Sequence, residues 1–340
     1  MAVNTNAAGS SPAKIVVLGT GGTIAGRATS ARDNIGYTAG EVGVEQLLGP
    51  VAAFQGAGVE FVAEQVAQVD SKDMGFALWQ QLARRCAYWL EQADVAGIVI
   101  THGTDTLEET AYFLQAVLQP AKPVVLTCAM RPATALVPDG PQNLLDAVVV
   151  ASTPEAQGVV AVCAGNIHSA LDVQKVHSYK VDAFSSGEAG LVGLVEEGRV
   201  RQLRPWPTVP VFHMKNWPVA HAEYAQAAIK NRVLSESTSE DWPRVEIVFN
   251  YAGAGGLVVD ALVAHGVAGI VAAGTGNGTL HVDLQGALLR AMEAGVAVVR
   301  ATRCVFGRVL ATPADAIADA QGLSPVKARI ALMLALLVAA

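Results

Sequence analysis

Two threonine-containing segments carry residues whose types and spacing could do chemistry. In the first, a pair of glycines precedes Thr23, so the backbone can approach a ligand closely and the Thr23 hydroxyl can be presented at the same place. The second, at residues 101–110, places Thr104 and Asp105 just before a predicted helix. A threonine hydroxyl becomes nucleophilic only beside a base or a desolvated cation. The segments therefore indicate an attacking hydroxyl near a carboxylate, although a plain turn and a helix N-cap would use the same residue types.

Tyr37 and Lys175 are two further side chains that could take part in such a reaction. Tyr37 lies in a glycine-rich stretch at 27–43, which is typical of a loop that closes over a site. An ordinary surface loop with a packing tyrosine is the alternative. A lysine whose pKa is lowered by burial could activate a threonine hydroxyl. Lys175 lies in a mostly apolar stretch and is the candidate, but spacing alone does not select it over Lys180.

Short β-branched runs alternate with amphipathic stretches over the first 200 residues, and these elements would position the candidate side chains. The runs predict buried strands at 15–18, 59–62, 97–100, 124–127 and 159–162, with helices at 74–91, 107–117 and 143–151. Such alternation predicts a parallel sheet with helices on both faces. Both threonine segments would then follow strands at the carboxyl edge of the sheet, where open α/β sheets bind ligands.

The alternation stops near residue 201 and resumes at 245. Residues 204–242 are rich in proline and contain a Ser/Glu cluster, which is typical of a linker, with one short helix near 222–230. Strands at 245–251, 268–273 and 296–301 then alternate with helices at 256–265, 280–294 and 325–337. We therefore predict a disordered tail at 1–13, a large N-terminal α/β domain at 14–203, a linker at 204–242 and a smaller C-terminal α/β domain at 243–340.

Composition and charge argue against several classes of protein. Of the 340 residues, 52% are hydrophobic and 16% are charged, which excludes a disordered chain. The net charge is −7 and no Lys/Arg block occurs, so we expect no nucleic-acid partner. The longest apolar run, at 330–340, is too short to cross a membrane and predicts a buried helix. With no signal-peptide pattern and no Cys-x-x-Cys pair, we expect a cytoplasmic protein, or a periplasmic one if a signal peptide has been removed.

Other catalytic motifs fail in this sequence. Residues 19–24 follow a strand as a dinucleotide-binding loop would, but Ile24 stands where the third glycine is needed, which argues against an NAD-dependent dehydrogenase. There is neither a P-loop nor a Gly-x-Ser-x-Gly motif. The seven histidines form no His-Glu-x-x-His pattern, and His102 follows a predicted strand. We therefore expect neither a metal nor a cofactor.

The segments TGGTIA at 20–25, THGTDTLEET at 101–110 and AMRP at 129–132 resemble the bacterial-type L-asparaginases. Asp139-Gly140-Pro141 with Asn143, and Lys327-Ala328-Arg329, fit the same family. The likeness runs from about residue 14 to 337. It implies a flavodoxin-like N-terminal domain with a smaller α/β domain, assembled as a homotetramer (a dimer of dimers) with active sites between subunits. It also implies hydrolysis of L-asparagine, a small-molecule amide, to L-aspartate and ammonia without metal or cofactor.

The resemblance also implies roles for residues of this chain. Thr23 would be the nucleophile, forming an acyl-enzyme, and Tyr37 would help to activate its hydroxyl. Thr104, Asp105 and Lys175 would form a second catalytic triad. The substrate-binding residues would be Gly22, Ser71, Lys72, Thr104, Asp105 and Ala129, with Ser71 on the substrate α-carboxylate and the Ala129 carbonyl facing the side-chain amide. The order in which the two threonines act stays open.

Three departures from the family pattern surround the expected place of the substrate α-amino group. Lys72 stands where many relatives have Gln, and Gly253 where many have Asn or Ser. In well-known members, a neighbouring subunit donates a glutamate that lies after the Val-Val-Arg strand. Here residues 303–310 follow that strand, and no acidic residue occurs before Asp315. These changes remove acceptors and negative charge, leaving Asp105 to hold an ammonium nearly alone. We therefore expect weak binding of L-asparagine, or a preference for L-glutamine or a D-amide. A weakly catalytic amino-acid-binding or sensing protein is a further alternative.

Overall fold

The computed structural model describes residues 13–52, 59–207, 217 and 225–339. The predicted tail, apart from residue 13, lies outside the described residues, and so do 208–216 and 218–224 of the predicted linker. The strands are β1 (Ala13–Gly21), β2 (Arg27–Ala28), β3 (Tyr37–Thr38), β4 (Val59–Val69), β5 (Val95–Thr101), β6 (Val124–Thr127), β7 (Val159–Cys163), β8 (Asn166–Ser169), β9 (Gln174–Lys175), β10 (Phe184–Ser185), β11 (Gly193–Glu196), β12 (Arg199–Gln202), β13 (Val245–Phe249), β14 (Gly269–Gly274), β15 (Ala297–Thr302) and β16 (Ala318–Asp319). The helices are α1 (Val44–Ala52), α2 (Phe76–Leu90), α3 (Leu107–Leu118), α4 (Gly140–Ala151), α5 (Ala225–Leu234), α6 (Leu257–Ala264), α7 (Val282–Glu293) and α8 (Pro325–Ala339).

The larger sheet has eight strands in the order β12-β11-β8-β7-β6-β5-β1-β4. Strands β4, β1, β5, β6 and β7 are parallel, which confirms the predicted parallel sheet. Strands β8, β11 and β12 extend it in the antiparallel sense, which the sequence analysis did not predict. Two-residue turns join β7 to β8 and β11 to β12: Ala164–Gly165 and Glu197–Gly198 all have positive φ, the backbone that joins antiparallel strands tightly.

Helices cover both faces of the larger sheet. Alternate residues of β1 point to opposite sides, so that Ile15 packs with α1 and α4 whereas Val16 packs with α2 and α3. Strand β4 runs seven residues past its predicted end because it lies at the sheet edge, where polar residues such as Gln65 reach solvent. Helix α1 was not predicted; it contains Gly49 and Pro50, which weaken the helical signal.

The smaller sheet is parallel and has the order β13-β14-β15-β16. Helices α6 and α7 cover one face, while α8 packs on the other face and also contacts α3 and α5. The apolar run at 330–339 therefore belongs to a buried helix, as predicted; the structure places this helix between the smaller sheet and helices α3 and α5. The described part of 204–242 includes α5 and Trp242, which are part of the same core. No helix in the described ranges is long and apolar enough to cross a membrane.

Candidate active site

Three candidate segments meet at the carboxyl edge of the larger sheet. Strand β1 lies between β4 and β5, with Gly21 beside Val69 and Gly19 beside Thr101. Ser71 follows β4, Thr23 follows β1 and Thr104 follows β5. All three side chains are buried, with 2%, 6% and 6% of their residues' surface exposed. Parallel pairing of neighbouring strands therefore gathers residues that are distant in the sequence.

Two glycines let the turns after β1 and β5 touch. Gly22 has φ of +80°, and a Cβ at this position would lie only 2.3 Å from the Cα of Gly103. A Cβ at Gly103 would lie 2.4 Å from Ser71 Oγ. Because only glycine allows backbones to approach this closely, the three turns form one tightly packed unit.

The Thr23 hydroxyl is hydrogen-bonded to Tyr37. The two oxygens are 2.5 Å apart, and either can be the donor. Tyr37 is carried by the β2–β3 hairpin, and its ring packs against Gly26, where a Cβ would lie 2.7 Å from the ring. Burial raises the pKa of Tyr37 above its ordinary value of 10.0, and the bond with Thr23 opposes this shift. The phenol therefore carries its proton at neutral pH.

Lys175 joins Thr104 and Asp105. Its Nζ donates to Oγ1 of Thr104 at 2.8 Å and to Oδ1 of Asp105 at 2.6 Å. The Lys175 side chain is 18% exposed, whereas Lys180 lies at the surface. Strand β9 presents Lys175 by pairing it with Phe184 of β10. Of the two lysines that spacing left open, the structure thus brings Lys175 to the threonine.

Ser71 and Lys72 are neighbours with different surroundings. Ser71 Oγ accepts the N–H of Asp105 at 3.1 Å, and its carbonyl accepts from the Thr106 hydroxyl at 2.7 Å. The Lys72 side chain is 60% exposed and donates to Asp73 and Asp70, each at 2.9 Å. These carboxylates, Asp73 first, raise the pKa of Lys72 above its ordinary value. Ser71 is therefore part of the buried site, whereas the Lys72 ammonium pairs at its rim.

The segment that contains Ala129 is fixed by two polar side chains for which the sequence analysis had no role. The Asp139 carboxylate accepts the N–H of Met130 at 2.9 Å and that of Arg131 at 3.0 Å. The Asn143 amide donates to the carbonyl of Cys128 at 2.9 Å. Ala129 itself is buried beside Ile24 and Ala25. The polar Asn143, directly before the apolar run of this helix, was the available signal for such a supporting role.

His102 supports the second threonine segment from inside the protein. The ring is fully buried, with Nδ1 2.7 Å from the Gly103 carbonyl and Nε2 2.9 Å from the Thr110 hydroxyl. The Thr110 hydroxyl accepts the indole N–H of Trp79 and therefore donates its own proton to Nε2 of His102. The neutral ring then carries its proton on Nδ1, which donates to the Gly103 carbonyl. Burial lowers the pKa of His102 to about 4, so the ring is neutral. No cluster of three metal-ligating side chains occurs among the described residues.

Gly253 and Asp315, which mark the other two departures from the family pattern, lie away from these contacts. Gly253 is exposed, with φ of +79° and no neighbouring atom within 4 Å of a Cβ there. Asp315 accepts bonds from Arg300 and from the N–H of Thr312. Over the described part of a single chain, no hydrogen bond links either residue to Thr23, Thr104 or Lys175.

Comparison with known proteins covers nearly the whole chain. The family model "Asparaginase, N-terminal" matches residues 14–207, and "Glutaminase/Asparaginase C-terminal domain" matches 244–338. The chain belongs to the asparaginase family. This membership confirms the resemblance seen in the sequence and the two-part α/β fold that it implied.

Members of the asparaginase family from several bacteria are similar to the chain over almost their full length. L-asparaginase 2 of Escherichia coli (strain K12) is 39% identical over 95% of this chain and 88% of its own length. L-asparaginase 2 of Bacillus subtilis (strain 168) is 38% identical over 95% and 82%. Glutaminase-asparaginase of Pseudomonas fluorescens biotype A is 38% identical over 95% and 86%. The crystal structure of a probable cytoplasmic L-asparaginase from Campylobacter jejuni is 38% identical, with a TM-score of 0.82 and 95% of both chains covered.

Proposed function

We propose that this member of the asparaginase family hydrolyses L-asparagine to L-aspartate and ammonia. The observation that carries the proposal is the hydrogen bond between Thr23 and Tyr37, packed beside the Thr104–Asp105–Lys175 group at the edge of the sheet. Relatives named L-asparaginase at 38–39% identity over 95% of the chain support the choice of substrate.

Thr23 is the proposed nucleophile. Its Oγ attacks the carboxamide carbon, and the hydroxyl proton moves through the hydrogen bond to Tyr37 toward the leaving nitrogen. Backbone N–H groups near Thr23 and Thr104 stabilise the oxyanion, each contributing about 3–4 kcal/mol. The C–N bond then breaks, ammonia leaves with the transferred proton, and a β-aspartyl ester remains on Thr23.

The Thr104–Asp105–Lys175 group is proposed to assist hydrolysis of this ester. Lys175 donates to the Thr104 oxygen, and Asp105 holds the ammonium in place. Water attacks the ester carbon, and the bond between that carbon and the Thr23 oxygen breaks. One proton of the water restores the Thr23 hydroxyl, the other passes to solvent, and L-aspartate leaves. Reversed roles, with Thr104 attacking first, predict an adduct on Thr104 instead.

Ser71, Asp105 and Ala129 are proposed to orient the substrate. Ser71 Oγ and nearby N–H groups would hold the α-carboxylate, Asp105 the α-ammonium, and the Ala129 carbonyl the side-chain amide. Lys72 pairs with two carboxylates, so it repels a substrate ammonium less than a free lysine would. We still expect weak binding of L-asparagine, because few other acidic groups assist Asp105 in binding the substrate α-ammonium.

Ammonia release from a panel of L-asparagine, L-glutamine and D-asparagine tests the proposed substrate. We expect the highest kcat/KM for L-asparagine. L-glutamine belongs in the panel because one relative is named glutaminase-asparaginase. A higher value for L-glutamine or D-asparagine would correct the substrate. No release from any amide above the Thr23→Ala control would favour a binding or sensing protein.

A homotetramer with active sites between subunits is part of the same proposal. Leu257, Val258 and Phe306 are 83%, 51% and 60% exposed, and apolar surface of this kind supports burial in an assembly. Light scattering tests it, with a mass of four 35.2 kDa chains expected. A monomeric mass with full activity would contradict sites shared between subunits.

We also propose a cytoplasmic location. Cys86, Cys128 and Cys163 are buried free thiols, which suits a reducing compartment. The relatives include both a probable cytoplasmic enzyme and a probable periplasmic one from Haemophilus influenzae at 35% identity. Fractionation of cells that express the protein from its natural gene tests this location, and recovery with periplasmic markers would contradict the proposal.

A further inference from the structure

A lysine of the last helix is buried close to the segment that contains Lys175. Lys327 lies in α8 and is only 1% exposed. Its Nζ donates to the carbonyls of Leu171 at 2.8 Å and Val173 at 2.6 Å. Burying an ammonium group is unfavourable unless it is hydrogen-bonded and paired. An apolar side chain would fill this core position without that cost, so the lysine needs a physical reason.

The two carbonyls belong to the irregular segment between β8 and β9. Within it, the N–H groups of Asp172 and Val173 both donate to Ser169, as in a tight turn. The carbonyls point away from the sheet ladder and find their donor in Lys327, more than 150 residues later in the chain. Lys175 comes two residues after Val173. Lys327 therefore fixes the backbone that leads directly into the catalytic lysine.

Glu108 lies near the same segment, in helix α3. Its carboxylate is largely buried, and Oε2 has no hydrogen-bond partner among the described residues. Burial raises the pKa of Glu108, and the charge of Lys327 counteracts this shift most strongly. Burial lowers the pKa of Lys327 to about 8, opposed by Glu108 and Asp172. Each buried charge thus stabilises the other, and Glu108 favours the charged form of Lys327, which is the stronger donor to the two carbonyls.

We infer that Lys327 is a positioning residue for Lys175, because its two bonds to the carbonyls of Leu171 and Val173 hold the backbone before Lys175 and so set the distance from Lys175 Nζ to Thr104 and Asp105. The C-terminal helix thereby controls the geometry of a group whose members all precede residue 176. The effect on rate rests on the proposed function, but the effect on the position of Lys175 does not.

Two substitutions remove the bonds from Lys327 to the two carbonyls to different extents. Lys327→Met removes the ammonium and keeps a long apolar side chain, whereas Lys327→Gln keeps two N–H donors without the charge. Since a displacement of about 1 Å at a reacting group lowers rates about 100-fold, we expect kcat of K327M to fall by about that factor. KM should change little, because the substrate-binding residues are not moved, and K327Q should lie between K327M and wild type.

Leu332→Ala is the matched control for a general loss of packing. Leu332 is a fully buried residue of the same helix, but it packs against Gly269 of the smaller sheet. We expect L332A to lower Tm at least as much as K327M and to leave kcat of the folded enzyme unchanged. Equal losses of kcat in the two variants would mean that Lys327 is merely structural.

Chemical labelling of Lys175 gives a readout that does not need turnover. An amine-reactive acylating reagent is applied to the folded protein, and Lys175 is compared with the exposed Lys180 by peptide mass spectrometry. We expect Lys175 to react several-fold faster in K327M than in wild type, and at the wild-type rate in L332A. If wild type released no ammonia from any amide, the proposed function would fail while this labelling still tested the positioning.

Equal labelling and equal kcat in K327M and wild type would overturn the inference. Should K327M not fold, the double variant K327M/E108Q replaces it. This variant makes both side chains neutral, so that the loss of the Lys327 ammonium does not leave Glu108 as an unpaired buried charge. We expect faster labelling of Lys175 in this variant too, and wild-type labelling in it would likewise overturn the inference.

Discussion

The substitution Gly22→Ala adds a single methyl group at the point where the two threonine turns touch. Gly22 has φ of +80° and ψ of −172°, a region available almost only to glycine. The new Cβ would lie 2.3 Å from both the Cα and the N of Gly103. Because both neighbours are backbone atoms, no change of side-chain rotamer can relieve the overlap. The turns that carry Thr23 and Thr104 must move apart.

The expected loss from Gly22→Ala has two parts. The backbone strain alone lowers the free energy of unfolding by about 1–3 kcal/mol. Restoring an ordinary contact requires the turns to separate by roughly 1 Å, and a misplacement of that size at reacting groups costs about 100-fold in rate. We therefore expect kcat/KM for L-asparagine to fall by at least that factor even in the folded variant.

Ammonia release and urea unfolding measure these two losses separately. Gly49→Ala is the matched control, since Gly49 is exposed in α1 and a Cβ there meets nothing within 4 Å. G49A should keep the wild-type rate and gain up to about 1 kcal/mol in stability from helix propensity. A G22A variant with wild-type rate and stability would refute the contact between the turns.

Three further predictions concern the surroundings of the site. Tyr37→Phe should lower kcat by about 10²–10⁴-fold with little change in KM, because the phenol contacts the Thr23 hydroxyl; steady-state kinetics check this, and an unchanged kcat would contradict its role. Asp139→Ala leaves two backbone N–H groups without their acceptor, so the free energy of unfolding, measured in urea, should fall by about 2–4 kcal/mol. A drop smaller than about 1 kcal/mol would argue against those bonds. Burial lowers the pKa of His102 and of His168 to about 4, below the unfolded value near 6.5. The unfolded chain therefore binds more protons below pH 6.5, and stability should fall by about 2 kcal/mol per histidine between pH 7 and pH 5. Urea unfolding at both pH values measures this, and replacing either histidine should reduce the slope.

The central strands could be predicted because residues buried on both faces leave an uninterrupted apolar run, as in β1 and β6. Strands β8, β11 and β12 could not, since they are short and their pairing depends on turns such as Ala164–Gly165. The backbone conformation of the turn determines where such a strand joins the sheet, and hydropathy does not report that conformation. The division into domains at 203 and 243 stays a prediction.

The candidate threonines could be predicted because parallel strands end at one edge, so segments after β1 and β5 must approach each other. Spacing alone could not choose Lys175 over Lys180, because the choice depends on a contact across 71 residues; only the family resemblance named Lys175. The burial of Lys327 could not be predicted either. In the sequence it lies two residues before Arg329, and two cations this close are typical of an exposed helix turn. Only the fold shows that one of these two cations is fully buried.

Intact-mass analysis after rapid acid quenching with L-asparagine tests the central claim, that Thr23 captures the acyl group, most directly. Wild type should gain the mass of one aspartyl group, and peptide mapping should place it within residues 20–25. Thr23→Ala should show no adduct. An adduct on Thr104, or one that persists in T23A, would contradict the account.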